Sequence, residues 1–300
     1  MIYTFGSSLT KYYWPTWADW LNVYQGPVTN LAFPGYDCSK VYWSLLDNVK
    51  NINSDDQVYI MWPGNTTTTV WYDREWVEKN NCHGFFPNPQ GDLWYTQDVA
   101  WMGLYKQHPD HLTSFTHLLI QNIQCMLYSQ ILLEKTGCKY TMLFNLNPWI
   151  DIRPVYGEKY TMIWDKILNI SDDTVKEAKN IIDMSPIKYL MSLINWDNVM
   201  EVPTNLQSLE KYKGLWEYDI LNKEYVTMKN NNDMHPSSLA HHDYLLEKIL
   251  KQDPKKGIYR NQALDISNRC MNTIMPTFEV KDFTATPDTH ILQFGIKLPD

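Results

Sequence analysis

Apolar runs and helical stripes alternate along the first 65 residues in a rhythm that predicts a parallel sheet with crossover helices. Ile2-Tyr3-Thr4-Phe5 reads as a buried strand. Residues 14–24 read as a short helix with Pro15 near its start, where a missing N–H costs nothing. Residues 28–33 form a second strand, ended by Pro34-Gly35. Asp37 then stands as the N-cap of a helix that carries Val41, Leu45 and Val49 on one face. A third strand over 58–62 ends at Pro63-Gly64.

The rhythm breaks over residues 66–109, where Thr, Trp, Tyr, Pro and Asn follow one another with no sustained period. A stretch of that length in a compact domain is a functional loop or a disordered one. Its aromatic residues speak against disorder, so it is expected to be an insertion that covers the carboxyl ends of the strands. A helix follows over 110–135, with Leu112, Phe115, Leu119, Ile123 and Met126 at spacings of three and four and Gly137 as the stop. Residues 140–144 give the fourth strand. Residues 150–225 are ambiguous, with a charged helix near 172–182 and an apolar run over 187–194. The last long helix spans 236–251, with Leu239, Leu246 and Leu250 on one face. The division expected is a main domain over 1–256 and an extension over 257–300. The extension is expected to be β-rich, from pieces at 277–280 and 290–296, and to pack on the main domain.

Charge and composition narrow the partners. A net charge of −8, without a Lys/Arg cluster, argues against nucleic acid. The most apolar stretch, 118–133, is interrupted by Gln121, Asn122, Gln124, Ser129 and Gln130, which argues against a membrane span. The five cysteines are odd in number and contain no Cys-x-x-Cys pair, so they suggest neither a disulfide framework nor a zinc site. With an amino terminus that enters a strand without a basic region or apolar core, cytoplasmic synthesis is expected. The 13 Trp and 20 Tyr serve either as core or as a surface that stacks on sugar rings.

The candidate chemistry sits in turns. In open α/β sheets ligands bind at the carboxyl ends of strands, and three turns occupy that position: Gly6-Ser7-Ser8, the segment from Asn30 to Gly35, and Pro63-Gly64-Asn65. A fourth, Asp233-Met234-His235-Pro236, precedes the last helix. A serine is inert as a nucleophile until a base takes its proton, and a carboxylate beside that base fixes its tautomer.

In order and placement these turns resemble the blocks of the SGNH hydrolase superfamily, the GDSL esterases and lipases. Gly6-Ser7-Ser8-Leu9 matches the Gly-Asp-Ser-Leu block, which makes Ser8 the nucleophile. Gly35 falls on the glycine of the second block and Asn65 on the asparagine of the third. Both would join the Ser8 N–H in the oxyanion hole. His235-Pro236, followed by Ala240-His241, matches the last block.

Three positions depart from the pattern. Ser7 replaces an aspartate, Pro63 replaces a glycine, and Asn232 rather than an aspartate stands three residues before His235. Asp233, two before, is the candidate carboxylate. The resemblance implies a three-layer α/β/α, flavodoxin-like fold with a mostly parallel sheet, and no cofactor or metal. His241 and His242 follow His235 at spacings that do not suit a shared ion.

The implied reaction is hydrolysis of a small ester, O-acetyl groups on a carbohydrate fitting the aromatic insertion, with Trp62, Trp76 and Trp94 as candidate substrate contacts. The alternative is a non-catalytic glycan-binding or structural protein, of the kind found in viral particles, that keeps the fold.

Overall fold

The structure, a computed structural model, describes residues 1–64, 67–73, 85–87, 93–99, 115–145, 179–200, 235–271 and 293–296, with isolated positions at 176, 215 and 218. Four strands, β1 (Ile2–Phe5), β2 (Val28–Asn30), β3 (Gln57–Trp62) and β7 (Lys139–Phe144), form one sheet in the order β2-β1-β3-β7. Every pairing in it is parallel. The chain is therefore an α/β protein, and its sheet strands fall on the four runs expected from the sequence, although the second is shorter than 28–33 and ends at Asn30. At the β7 edge Val199 adds a single parallel bridge to Met142.

Helices α1 (Trp17–Gln25) and α2 (Cys38–Asn48) cross between these strands. Helix α1 starts later than Pro15 suggests, because Thr16 is its cap: the Thr16 N–H donates to the Asp19 carboxylate at 2.8 Å. Asp37 caps α2 as its position predicts, accepting the Lys40 N–H at 2.8 Å. Further helices are α3 (Phe115–Thr136), α4 (Ser185–Ser192), α5 (Ser238–Tyr244), which continues as a π-helical turn over Leu245–Ile249, and α6 (Arg260–Met271). No helix among the described residues is long and apolar enough to cross a membrane.

Alternation along β3 divides the core in two. Val58, Ile60 and Trp62 join Val41 and Leu45 of α2 and Leu119 and Ile123 of α3. Met61 joins the other cluster, with Trp17, Trp20 and Leu21 of α1, Leu239 and Ala240 of α5, and Ala263 and Ile266 of α6. A strand buried on both sides in this way reads as a continuous apolar run, which is how β3 reads.

Two expectations are corrected. The stretch 66–109 is not loop throughout: β4 (Thr67–Asp73), β5 (Phe85–Pro87) and β6 (Leu93–Val99) form an antiparallel sheet in the order β4-β6-β5. Its register sets Trp71 opposite Tyr95 and Tyr72 opposite Trp94. Thr, Val and aromatic residues, all of which favour strands, occupy most of these positions, so no apolar/polar alternation shows in the sequence. The second correction concerns the extension, which is not β-rich where it is described. Residues 260–271 are helix α6, and 293–296 form a turn rather than a strand. Ser267 of α6 accepts the Leu239 N–H at 2.9 Å and donates to the Ala263 carbonyl at 2.8 Å, so α6 docks on α5 through a buried polar contact. The piece at 277–280 lies outside the described residues.

Candidate active site

Ser8 and His235, 227 residues apart, meet at the carboxyl end of β1, with 2.8 Å between Ser8 Oγ and His235 Nε2. Each is brought there by a separate set of local constraints.

The serine lies on a tight turn directly after β1. The Ser7 carbonyl accepts the N–H groups of Thr10 at 2.9 Å and Lys11 at 3.1 Å. Gly6 opens the turn because nothing larger fits: a Cβ there would collide with Thr10 Oγ1 and come within 3.0 Å of the Met61 carbonyl. Gly6→Ala is expected to cost about 1–3 kcal/mol from overpacking. Thermal melting would show that loss, and esterase assay a matching loss of any Ser8-dependent turnover. A stable, active Gly6→Ala would show that the turn is not constrained in this way.

Further bonds hold the turn from the side. The Thr10 carbonyl accepts Asn30 Nδ2 at 2.8 Å and Thr16 Oγ1 at 2.7 Å. The segment after β2 runs beside β1 and its turn, with Leu31 N–H on the Thr4 carbonyl at 2.8 Å and Phe33 N–H on the Gly6 carbonyl at 3.3 Å. Gly35 closes the bend that follows, at φ 84° with Tyr36 N–H on the Phe33 carbonyl at 3.2 Å. Pro34 and a left-handed Gly35 are what a type II turn requires. Gly35 thus stands at the carboxyl end of β2, on the sheet edge that also carries Ser8.

The histidine is held by aromatic residues of the segment after the serine. Trp14 is fully buried and donates its Nε1–H to the Pro236 carbonyl at 2.9 Å. Trp20 Nε1 lies 3.2 Å from both the carbonyl and the hydroxyl of Ser238, and that hydroxyl donates to the Pro15 carbonyl at 2.9 Å. Ser237 caps α5 through the Ala240 N–H at 3.2 Å. Tyr12 lies face to face with the His235 ring, 3.9 Å between centroids.

Two more histidines follow on α5, in different circumstances. His242 is fully buried in a chain of polar contacts: Tyr24 Oη at 2.9 Å from Nε2, Asp243 Oδ1 at 2.8 Å from Nδ1, and Arg260 Nε on Asp243 Oδ2 at 3.1 Å. This chain ties α5 to α1 and to α6. His241 is equally buried, but its Nδ1 has no hydrogen-bond partner. Burial pushes its pKa down to about 3, and repulsion from nearby His235 acts in the same direction. Lys40, at the start of α2 with its ammonium 5.5 Å from the centre of the Tyr36 ring, is likewise pulled down to about 8 by desolvation, against the opposing charges of Asp37 and Asp47.

Asn145 joins the site without having been singled out in the sequence. Its backbone N–H extends the β3–β7 ladder to the Trp62 carbonyl at 2.9 Å, and its buried Nδ2 donates to Ser7 Oγ at 3.2 Å. The signal was available: Asn145 is an amide that directly follows an apolar strand run. Ser7, which takes the place of the acidic residue in the resembled block, is held by that amide.

The candidate substrate contacts fare differently. Trp62 is corrected: it shares the face of β3 that α2 and α3 cover, and it is 0% exposed within the core. Asn65, Trp76, Asn232 and Asp233 lie outside the described residues, and of Trp94 only the backbone, in β6, is described. A scan against protein-family models finds no match to this chain, and a search of curated proteins likewise finds none.

Proposed function

We propose that the protein is a serine esterase of the SGNH type, with the three-layer, flavodoxin-like arrangement that the superfamily implies. The observation that carries the reading is the 2.8 Å contact between Ser8 Oγ and His235 Nε2 at the carboxyl end of a parallel sheet. Serine–imidazole pairs at that distance are what general-base activation of a hydroxyl needs. The sheet order lends support, since the chain leaves β1 toward β2 on one side and β3 takes the other, which opens a crevice at the end of β1.

In this reading Ser8 Oγ attacks the ester carbonyl carbon while its proton passes to His235 Nε2. The tetrahedral oxyanion is held by the Ser8 and Gly35 N–H groups and the Asn65 amide, each such donor contributing about 3–4 kcal/mol. His235 then returns the proton to the departing alcohol oxygen, leaving an acyl-serine. A water, deprotonated by the same imidazole, cleaves that acyl bond and restores Ser8. Asp233 is the carboxylate assigned to orient His235. The substrate class is a small ester, with O-acetylated carbohydrate as the leading member.

Hydrolysis of p-nitrophenyl acetate tests the reading. The wild-type protein is expected to turn it over, and Ser8→Ala to fall to the level of buffer plus any residual binding effect. Equal rates for the two proteins would remove the esterase reading and leave a glycan-binding module on the same fold.

A further inference from the structure

The segment that carries the nucleophile also carries a flat aromatic face against the base. Tyr12 is 5% exposed and stacks on His235 with 3.9 Å between ring centroids and 22° between planes. Tyr12 is itself fixed edge-on by Trp14, at 4.6 Å and 78°. Trp14 in turn donates to the carbonyl of Pro236, the residue after the histidine, so both rings and the His235-Pro236 segment form one set of contacts. Tyr12 stands only four positions after Ser8, and the Thr10 carbonyl between them is tied to Asn30 and Thr16.

We propose that Tyr12 is a positioning residue for His235, an inference that rests on the esterase reading above. The hydrogen bond between Ser8 Oγ and His235 Nε2 fixes a distance at one ring atom, and the plane of the imidazole is a separate coordinate. A parallel ring 3.9 Å away constrains that plane, because rotation would drive the imidazole edge into the phenol face. The face of an aromatic ring also attracts a cation. The stack therefore favours the imidazolium at the moment His235 holds the serine proton. The nucleophile segment thus sets both halves of the pair: Ser8 by its turn, and the plane of His235 by Tyr12.

The test compares wild type, Tyr12→Phe and Tyr12→Leu by three readouts: kcat and KM for p-nitrophenyl acetate, the rate of fluorophosphonate labelling, and the His235 ring proton resonances by NMR. Loss of about an ångström of alignment costs about 10²-fold. Tyr12→Leu is therefore expected to lose about that factor in kcat and in labelling rate with KM little changed. Its His235 resonances should move downfield as the ring current is removed. Tyr12→Phe, which keeps the ring, is expected to recover most of the loss and to restore the upfield resonances. A folded Tyr12→Leu with wild-type kcat overturns the inference while leaving the esterase reading intact. So does a loss expressed in KM alone. If Tyr12→Leu does not fold, the wild-type spectrum decides: nuclear Overhauser contacts between the Tyr12 and His235 rings support the stack, and their absence overturns it. A wild-type protein without Ser8-dependent turnover overturns both readings, so the two failures remain separate.

Discussion

Replacing His235 by alanine is expected to lower kcat for p-nitrophenyl acetate by about 10⁶-fold if the pair works as a unit, with KM little changed. The reason lies in the geometry. Ser8 Oγ is 2.8 Å from Nε2, and its hydroxyl does not ionise at neutral pH without a base in that place. Ser8→Ala should cost about the same, and the double variant no more than either, because removing one member already ends the proton transfer. Steady-state rates for the three proteins check this. Losses that multiply in the double variant would show that the two side chains act independently, which no acyl-transfer scheme through this pair allows. The fold should survive all three changes, since both side chains lie at the half-buried edge of the site rather than within either core cluster.

The second large effect concerns stability and pH, through His241. Its imidazole is 1% exposed, and its pKa in the folded protein is about 3, against about 6.5 in an unfolded chain. The folded value is the lower one, so the unfolded chain binds the extra proton between those limits. The stability contributed by neutral His241 is complete above about pH 6.5. It declines as pH falls toward 3, by about 1.4 kcal/mol per unit. At pH 4.5 the loss reaches about 3 kcal/mol, which lowers Tm by about 2–4 °C for each kcal/mol in a chain of this size. His241→Leu removes both the titration and the unpartnered Nδ1. Between pH 7 and 4.5 its Tm is expected to fall clearly less than that of the wild type. Parallel curves for the two proteins would contradict the assignment of this acid sensitivity to His241.

The sheet was legible because three of its strands are compact, largely apolar runs and each of the four lies next to Pro, Gly or Asn. The Asp37 cap and the Pro34-Gly35 turn were legible because side-chain chemistry within a few residues decides them. The approach of Ser8 to His235 could not come from local pattern at a separation of 227 residues. It was reachable only through the order of the motifs. Tyr12 and Trp14 were hidden for a related reason. Their role depends on which segment folds over them, and in sequence they read as ordinary core aromatics. Helix α6 escaped because the face it buries includes Ala263 and Ser267, too small and too polar to show a stripe. The β4-β6-β5 sheet escaped because Thr, Trp and Tyr occupy successive positions and mask the two-residue period. Trp62 misled in the opposite way: an aromatic residue beside a turn motif looks like a contact for ligand, but its place in the alternation of β3 sends it inward.

The central claim is that Ser8 is a nucleophile activated by His235. The most direct measurement is to label the intact protein with a fluorophosphonate probe and map the adduct by mass spectrometry. A single adduct on Ser8, absent from His235→Ala, is the predicted result. No adduct on folded protein, or an adduct on another serine, would contradict it.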